Sequence, residues 1–280
     1  MTTATHTQEN RNGPAERPAK APNPITTTLR YAAYDWRRQI RMVESLIFVV
    51  VLPTVLFWIF GINTDFADFP SGHGNVSGTT AVGMATYGAV IATTSIAGSA
   101  AVERSKGWGR LLALTPMRQW QYVAAKVLVA CAIAALPVIL VFTVAALTNG
   151  ELGSTGRWFA TAAIIVGGSA VFALYGLMFG LLFRTEGAVS AATGLLVVLA
   201  FFGNLFMPLS GTMLEIAKFT PLYGLRGLAT WPQMEGALNS ATGETLAPDT
   251  LGQLITNLVV WTVIFGVLAL LAARRGTKRA

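Results

Sequence analysis

Six apolar stretches dominate the chain, at Ser45–Ile62, Ala81–Val102, Tyr122–Leu147, Trp158–Phe183, Ala188–Met207 and Leu251–Ala273. Only one charge lies among them, Lys126, near an end of its stretch. A helix of roughly 20 apolar residues matches the hydrocarbon thickness of a bilayer. A soluble domain cannot bury six such runs and still present a polar surface. Charged residues make up 12% of the chain and hydrophobic ones 53%. The charged share is about half the usual fraction for soluble domains. The sequence therefore predicts an all-α polytopic membrane protein with six transmembrane helices.

The connections divide by charge. Seven Lys/Arg precede the first stretch, five lie in the second-to-third connection, Arg184 follows the fourth and four end the chain. Together these account for 17 of the 20 basic residues, and only Arg157, Lys218 and Arg226 lie on the other side. The positive-inside rule then places both termini in the cytoplasm, in the cell (inner or plasma) membrane. The net charge of +7 is explained by this asymmetry, with no call for nucleic acid as a partner. The first 24 residues are polar and proline-containing, without the apolar core of a cleavable signal, and read as a disordered cytoplasmic tail. Residues 25–273 form the membrane domain, and 274–280 a basic cytoplasmic tail.

Before the first span, Ile25, Leu29, Ala32, Trp36, Ile40 and Val43 recur at helical spacing, with Arg30, Arg37, Arg38 and Arg41 facing away. That pattern suits a helix from Ile25 to Val43 lying in the headgroup layer. Pro208–Thr250 is too broken by Pro and Gly to span and too apolar to be free in water. It reads as one or two short interfacial or re-entrant helices.

No motif for chemistry is present. There is no phosphate-binding loop, nucleophile elbow or metal-ligand spacing around His6 or His73. Cys131, the single cysteine, sits in an apolar run and reads as a small buried residue. The spans have no charge near their middles, which argues against a proton relay or voltage sensor. If the chain moves a solute uphill, the energy must come from a partner. The natural contact is Glu103–Lys126, where Gly107 and Gly109 precede Leu111, Leu112 and Thr115-Pro116. Trp108, Leu111, Leu112 and Leu114 offer an apolar face, and Arg104, Lys106, Arg110 and Arg118 offer charge. The same amphipathic pattern serves docking to a protein or to anionic headgroups.

With its amphipathic entry helix, this basic connection and the broken segment around Gly203–Leu209 and Ile216–Leu222, the sequence resembles the permease subunits of type-2 ABC exporters. That family includes drug-efflux and polysaccharide-export permeases, and the likeness covers residues 25 to 273. It implies that Glu103, Arg104, Gly107, Trp108, Arg110, Leu111, Leu112, Thr115 and Pro116 form a coupling helix seated on a cytoplasmic ATPase. Ser105 and Arg110 stand where the family commonly has acidic residues. The resemblance implies two cytoplasmic ABC ATPase subunits that bind ATP and Mg, with no cofactor on this chain. It also implies a second permease subunit, identical or related, and a re-entrant pair between the fifth and sixth spans. The expected cargo is a hydrophobic or amphipathic compound such as a drug or antibiotic. Candidate pathway residues are Thr86, Tyr87, Thr93, Thr94, Phe201, Phe202 and Asn204, each of which also suits helix packing. The alternatives are a stand-alone secondary transporter or channel, and a non-transporting scaffold or immunity protein.

Overall fold

A computed structural model of the chain describes residues 23–42, 46–108, 117–239 and 246–277. Nine helices and one small hairpin are present among them. They are α1 (Pro24–Ile40), α2 (Ile47–Ile62), α3 (Val76–Glu103), α4 (Gln119–Leu147) and α5 (Thr155–Phe183). Then follow α6 (Glu186–Phe202), α7 (Gly211–Ala217), α8 (Pro221–Met234) and α9 (Leu251–Thr277). Four segments are long and apolar enough to cross a membrane: Val76–Gly107, Trp120–Leu147, Thr155–Phe183 and Leu251–Arg274. Two shorter apolar helices, α2 and α6, accompany them. The chain is an all-α polytopic membrane protein, as its hydropathy requires.

α3 is the centre of the bundle. It is the least apolar of the four long segments and the most enclosed, with 89% of its apolar window buried. Composition explains this, because α3 is built largely from Gly, Ala, Ser and Thr. Small side chains let helix backbones approach closely, and in lipid that packing replaces the hydrophobic drive. A Cβ at Gly176 of α5 would lie 2.0 Å from Thr94 O, and one at Gly180 would lie 2.4 Å from Gly98 O. Only glycine permits that seam. A Cβ at Gly88 would meet Pro137 of α4 at 2.5 Å and Pro53 of α2 at 3.0 Å. The two in-span prolines thus close on the central helix at the same glycine.

Several boundaries differ from the sequence reading. α3, the expected second span, starts at Val76 instead of Ala81, because Asn75 Oδ1 accepts from Gly78 N at 2.8 Å and caps it. Pro70–Ser71 pairs with Gly74–Asn75 in a hairpin that periodicity did not signal. α2 is wound as π-helix at Ile47–Val51 and Trp58–Ile62, on either side of the α-helical turns that hold Pro53. A proline removes a backbone donor, and a widened turn is a common accommodation. The expected fifth span, to Met207, ends at Phe202 as α6, because Asn204 takes a left-handed φ of 61°. The broken segment does form two short helices, α7 and α8.

Candidate functional site

The residues flanking the expected docking segment converge on one charged cluster. Lys126, in the second turn of α4, is the only charge in that helix, and Asp35 is the only acid in α1. Lys126 Nζ lies 3.2 Å from Asp35 Oδ1 in hydrogen-bond geometry and 3.0 Å from Asp35 Oδ2. The same ammonium donates to Glu103 Oε2, at the end of α3, at 3.1 Å. The other Glu103 oxygen meets Arg38 Nη1 of α1 at 2.8 Å. Two carboxylates and two cations therefore form a neutral chain across three helices. Lys126 and Asp35 have side chains 8% and 2% exposed, and Arg38 is 48% exposed, so the cluster runs from the interior to the surface. Burial works to lower the affinity of the Arg38 guanidinium for its proton. Glu103, by charge and hydrogen bond, together with the nearby Asp35 and Tyr31, outweighs that and raises it.

Two further contacts along α1 complete the clamp. Gln121 Nε2 donates to Pro24 O at 2.9 Å, and the rings of Tyr31 and Tyr122 lie 5.7 Å apart. The Lys126 ammonium also sits 5.7 Å from the Tyr122 ring centroid. Pro24, Tyr31, Asp35 and Arg38 thus share one stripe of α1 at helical spacing. Ile25, Leu29 and Ile40 stay exposed on another stripe. α1 consequently has three faces: one clamped to α4, one apolar and one rich in arginine. Of the face expected to enter the headgroup layer, Ala32 is buried and Trp36 is half-buried against the bundle core, while Val43 lies outside the described residues.

Past Glu103 the chain makes a π turn over Arg104–Trp108 and breaks at Gly107, whose φ is +94°. Nothing lies within 4 Å of a Cβ placed there, so this glycine serves backbone conformation alone. Lys106 Nζ approaches Glu186 Oε1, at the start of α6, at 3.6 Å. Of the expected docking residues, Glu103 turns inward to the cluster and Arg104 is exposed. Gly107 and the backbone of Trp108 belong to the turn. Arg110, Leu111, Leu112, Thr115 and Pro116 lie outside the described residues. α4 resumes after Arg118, whose N–H donates to Gln121 Oε1 at 2.6 Å. Both shoulders of the segment are thereby anchored to α1.

The candidate pathway residues separate into two groups. Thr86, Tyr87, Thr93 and Thr94 are buried within this single chain. Thr86 Oγ1 donates to Val82 O at 2.7 Å, Thr93 Oγ1 to Ser169 O at 2.9 Å and Thr94 Oγ1 to Phe172 O at 3.2 Å. The Tyr87 ring packs edge-on against Phe206 at 5.0 Å. In this conformation the four are packing residues of α3. Asn204 is also buried and accepts from Leu209 N at 2.9 Å, shaping the turn after α6. Phe201 and Phe202 are 47% and 37% exposed, and the Phe201 ring packs edge-on against Phe206 at 4.8 Å.

Sequence reasoning counted Lys126 only as a positive-inside charge and gave Asp35 no role. The usable signal was the isolation of each: a lone charge inside an apolar run requires an opposite charge from elsewhere.

Comparison with known proteins adds two findings. A sequence model of the ABC-2 family transporter proteins matches residues 60–273. A protein of Bacillus subtilis (strain 168) named as a transport permease, YvfS, is 24% identical over 207 residues, covering 72% of this chain and 83% of that protein.

Proposed function

The chain belongs to the ABC-2 transporter family and is a transport permease subunit, and from that premise we propose that it works in an ATP-driven exporter. In this reading α2 and α6 also span the bilayer, giving six spans with both termini in the cytoplasm. Two cytoplasmic ATPase subunits bind ATP and Mg, and this chain takes their motion through the segment between α3 and α4. A second permease subunit, identical or related, completes the pathway, with Phe201 and Phe202 facing it. A hydrophobic or amphipathic cargo, such as a drug or antibiotic, suits the largely uncharged spans.

The observation that carries this reading is the Asp35–Lys126–Glu103–Arg38 cluster. A segment that receives a push must be rigid at its shoulders, or the push is lost in local bending. Here α3 and α4 are joined at the segment's base and both are joined to α1. Movement of the segment is then shared by three helices, a lever of the kind used in rigid-body switching.

The test is purification of the tagged full-length chain from native membranes. An ATPase with a Walker A motif, identified by mass spectrometry, is expected in the complex, along with ATP hydrolysis. Deleting residues 104–118 is expected to release that ATPase while leaving the chain in the membrane. A chain that purifies alone and conducts or transports without any ATPase sinks the reading in favour of a stand-alone carrier.

A further inference from the structure

At the end of the bundle away from the docking segment, α8 carries a second buried cation. Arg226 is 6% exposed, held between α8 and the rest of the bundle. Among the described residues its guanidinium makes no hydrogen bond and no ion pair; only its backbone carbonyl is used, accepting from Thr230 Oγ1 at 3.1 Å. The polar groups nearest along the helix are committed elsewhere. Thr230 bonds back to the α8 backbone, and Tyr223 Oη donates to Asp249 Oδ2 at 2.6 Å. Asp249 is close enough to act on Arg226 by charge, but it does not contact it.

The contrast with Lys126 is informative. Where a buried cation serves structure alone, this chain brings two carboxylates within hydrogen-bond distance of it. An uncompensated buried charge costs several kcal/mol and is not kept without a partner. A guanidinium presents a planar fork of donors that matches the oxygens of a phosphate or carboxylate.

We propose that Arg226 is an oxoanion-binding site, in which the guanidinium holds a phosphate or carboxylate group of a bound molecule and Asp249, fixed by Tyr223, forms the adjoining wall. Asp249 keeps the empty site close to neutral and also limits its affinity by repelling the anion. The site does not depend on the ATP-coupled reading and stands or falls separately.

The experiment uses the full chain in phosphatidylcholine nanodiscs at constant ionic strength. The probes are inorganic phosphate in solution and, separately, phosphatidylglycerol in the disc; the readout is the thermal unfolding midpoint. Phosphate is expected to raise the midpoint of the wild type, with binding about tenfold weaker in R226Q, the loss of one charged hydrogen-bonded contact. D249N is expected to strengthen the phosphate effect. A shift produced by phosphatidylglycerol alone, and lost in R226Q, supports the site with a lipid headgroup as its source. Equal responses of wild type and R226Q to both probes overturn the proposal. If R226Q does not fold, D249N decides: destabilisation with no gain in phosphate response shows that Asp249 is the sole partner of Arg226, and also overturns it.

Discussion

The two ends of the bundle are fastened by opposite means. At the end where α3 leads towards α4, α1, α3 and α4 are joined by formal charges that grade from buried Asp35 to half-exposed Arg38. At the other end, the joint is a neutral amide. Gln233 of α8 is fully buried and donates to Ser71 O at 3.0 Å, Asn75 O at 3.1 Å and Thr79 Oγ1 at 3.0 Å. Asn75, besides capping α3, accepts from Glu151 N at 2.9 Å and so ties in the loop before α5. A neutral network of short side chains depends on fixed geometry and is indifferent to salt. A graded ionic chain holds its helices by attraction that salt screens where the charges reach solvent. The difference makes the hairpin joint indifferent to salt and leaves the joint of α1, α3 and α4 salt-sensitive at its exposed Arg38 edge.

The strongest way to break this comparison is at Lys126. Lys126→Met leaves two carboxylates together and is expected to destabilise the chain by about 3–5 kcal/mol, read from chemical unfolding in detergent. The double variant Asp35→Asn with Lys126→Met restores neutrality, leaving Glu103 with Arg38, and is expected to recover at least half of that loss. No recovery would mean that packing, not charge balance, holds this end.

Next in size is Gln233→Leu, which strips donors from two buried carbonyls and is expected to cost about 2–3 kcal/mol. Hydrogen exchange at residues 70–80 should rise, and added salt should change neither result. Arg38→Gln removes a partly exposed pair and is expected to cost about 1 kcal/mol or less. Its effect should shrink between low and high salt, since the Debye length falls to about 3 Å at 1 M. A salt-insensitive Arg38→Gln would contradict the graded cluster. The smallest effect is expected at Glu235, which meets His73 Nε2 at 2.9 Å in an exposed pair. Glu235→Gln should shift stability by about 0.5 kcal/mol or less in thermal unfolding, leaving the neutral joint intact.

Much of the architecture was legible because membrane insertion is a local property. Each apolar run reports its own transfer energy, so the helices from Ser45 to Ala273 could be placed within a few residues. The misplaced boundaries have non-local or stereochemical causes. Asn75 begins α3 early because its side chain caps the helix while bonding to Glu151, far along the chain. α6 stops at Phe202 because the following turn needs a left-handed Asn204. The exposed stripe of Ile25, Leu29 and Ile40 on α1 was readable from period alone. Its opposite face was not, since Tyr31 and Asp35 are meaningful only against Tyr122 and Lys126.

The sequence by itself determined that this chain lives in a bilayer and where its charges accumulate along the chain. These follow from sums over contiguous residues. Only the tertiary structure decided which polar groups answer one another: Lys126 with Asp35 and Glu103, Gln233 with the hairpin, and Arg226 with no side-chain hydrogen bond or ion pair among the described residues. In a low-dielectric interior a polar side chain must find its complement wherever the fold brings one, and the residue that supplies it is fixed by helix packing, not by position along the chain.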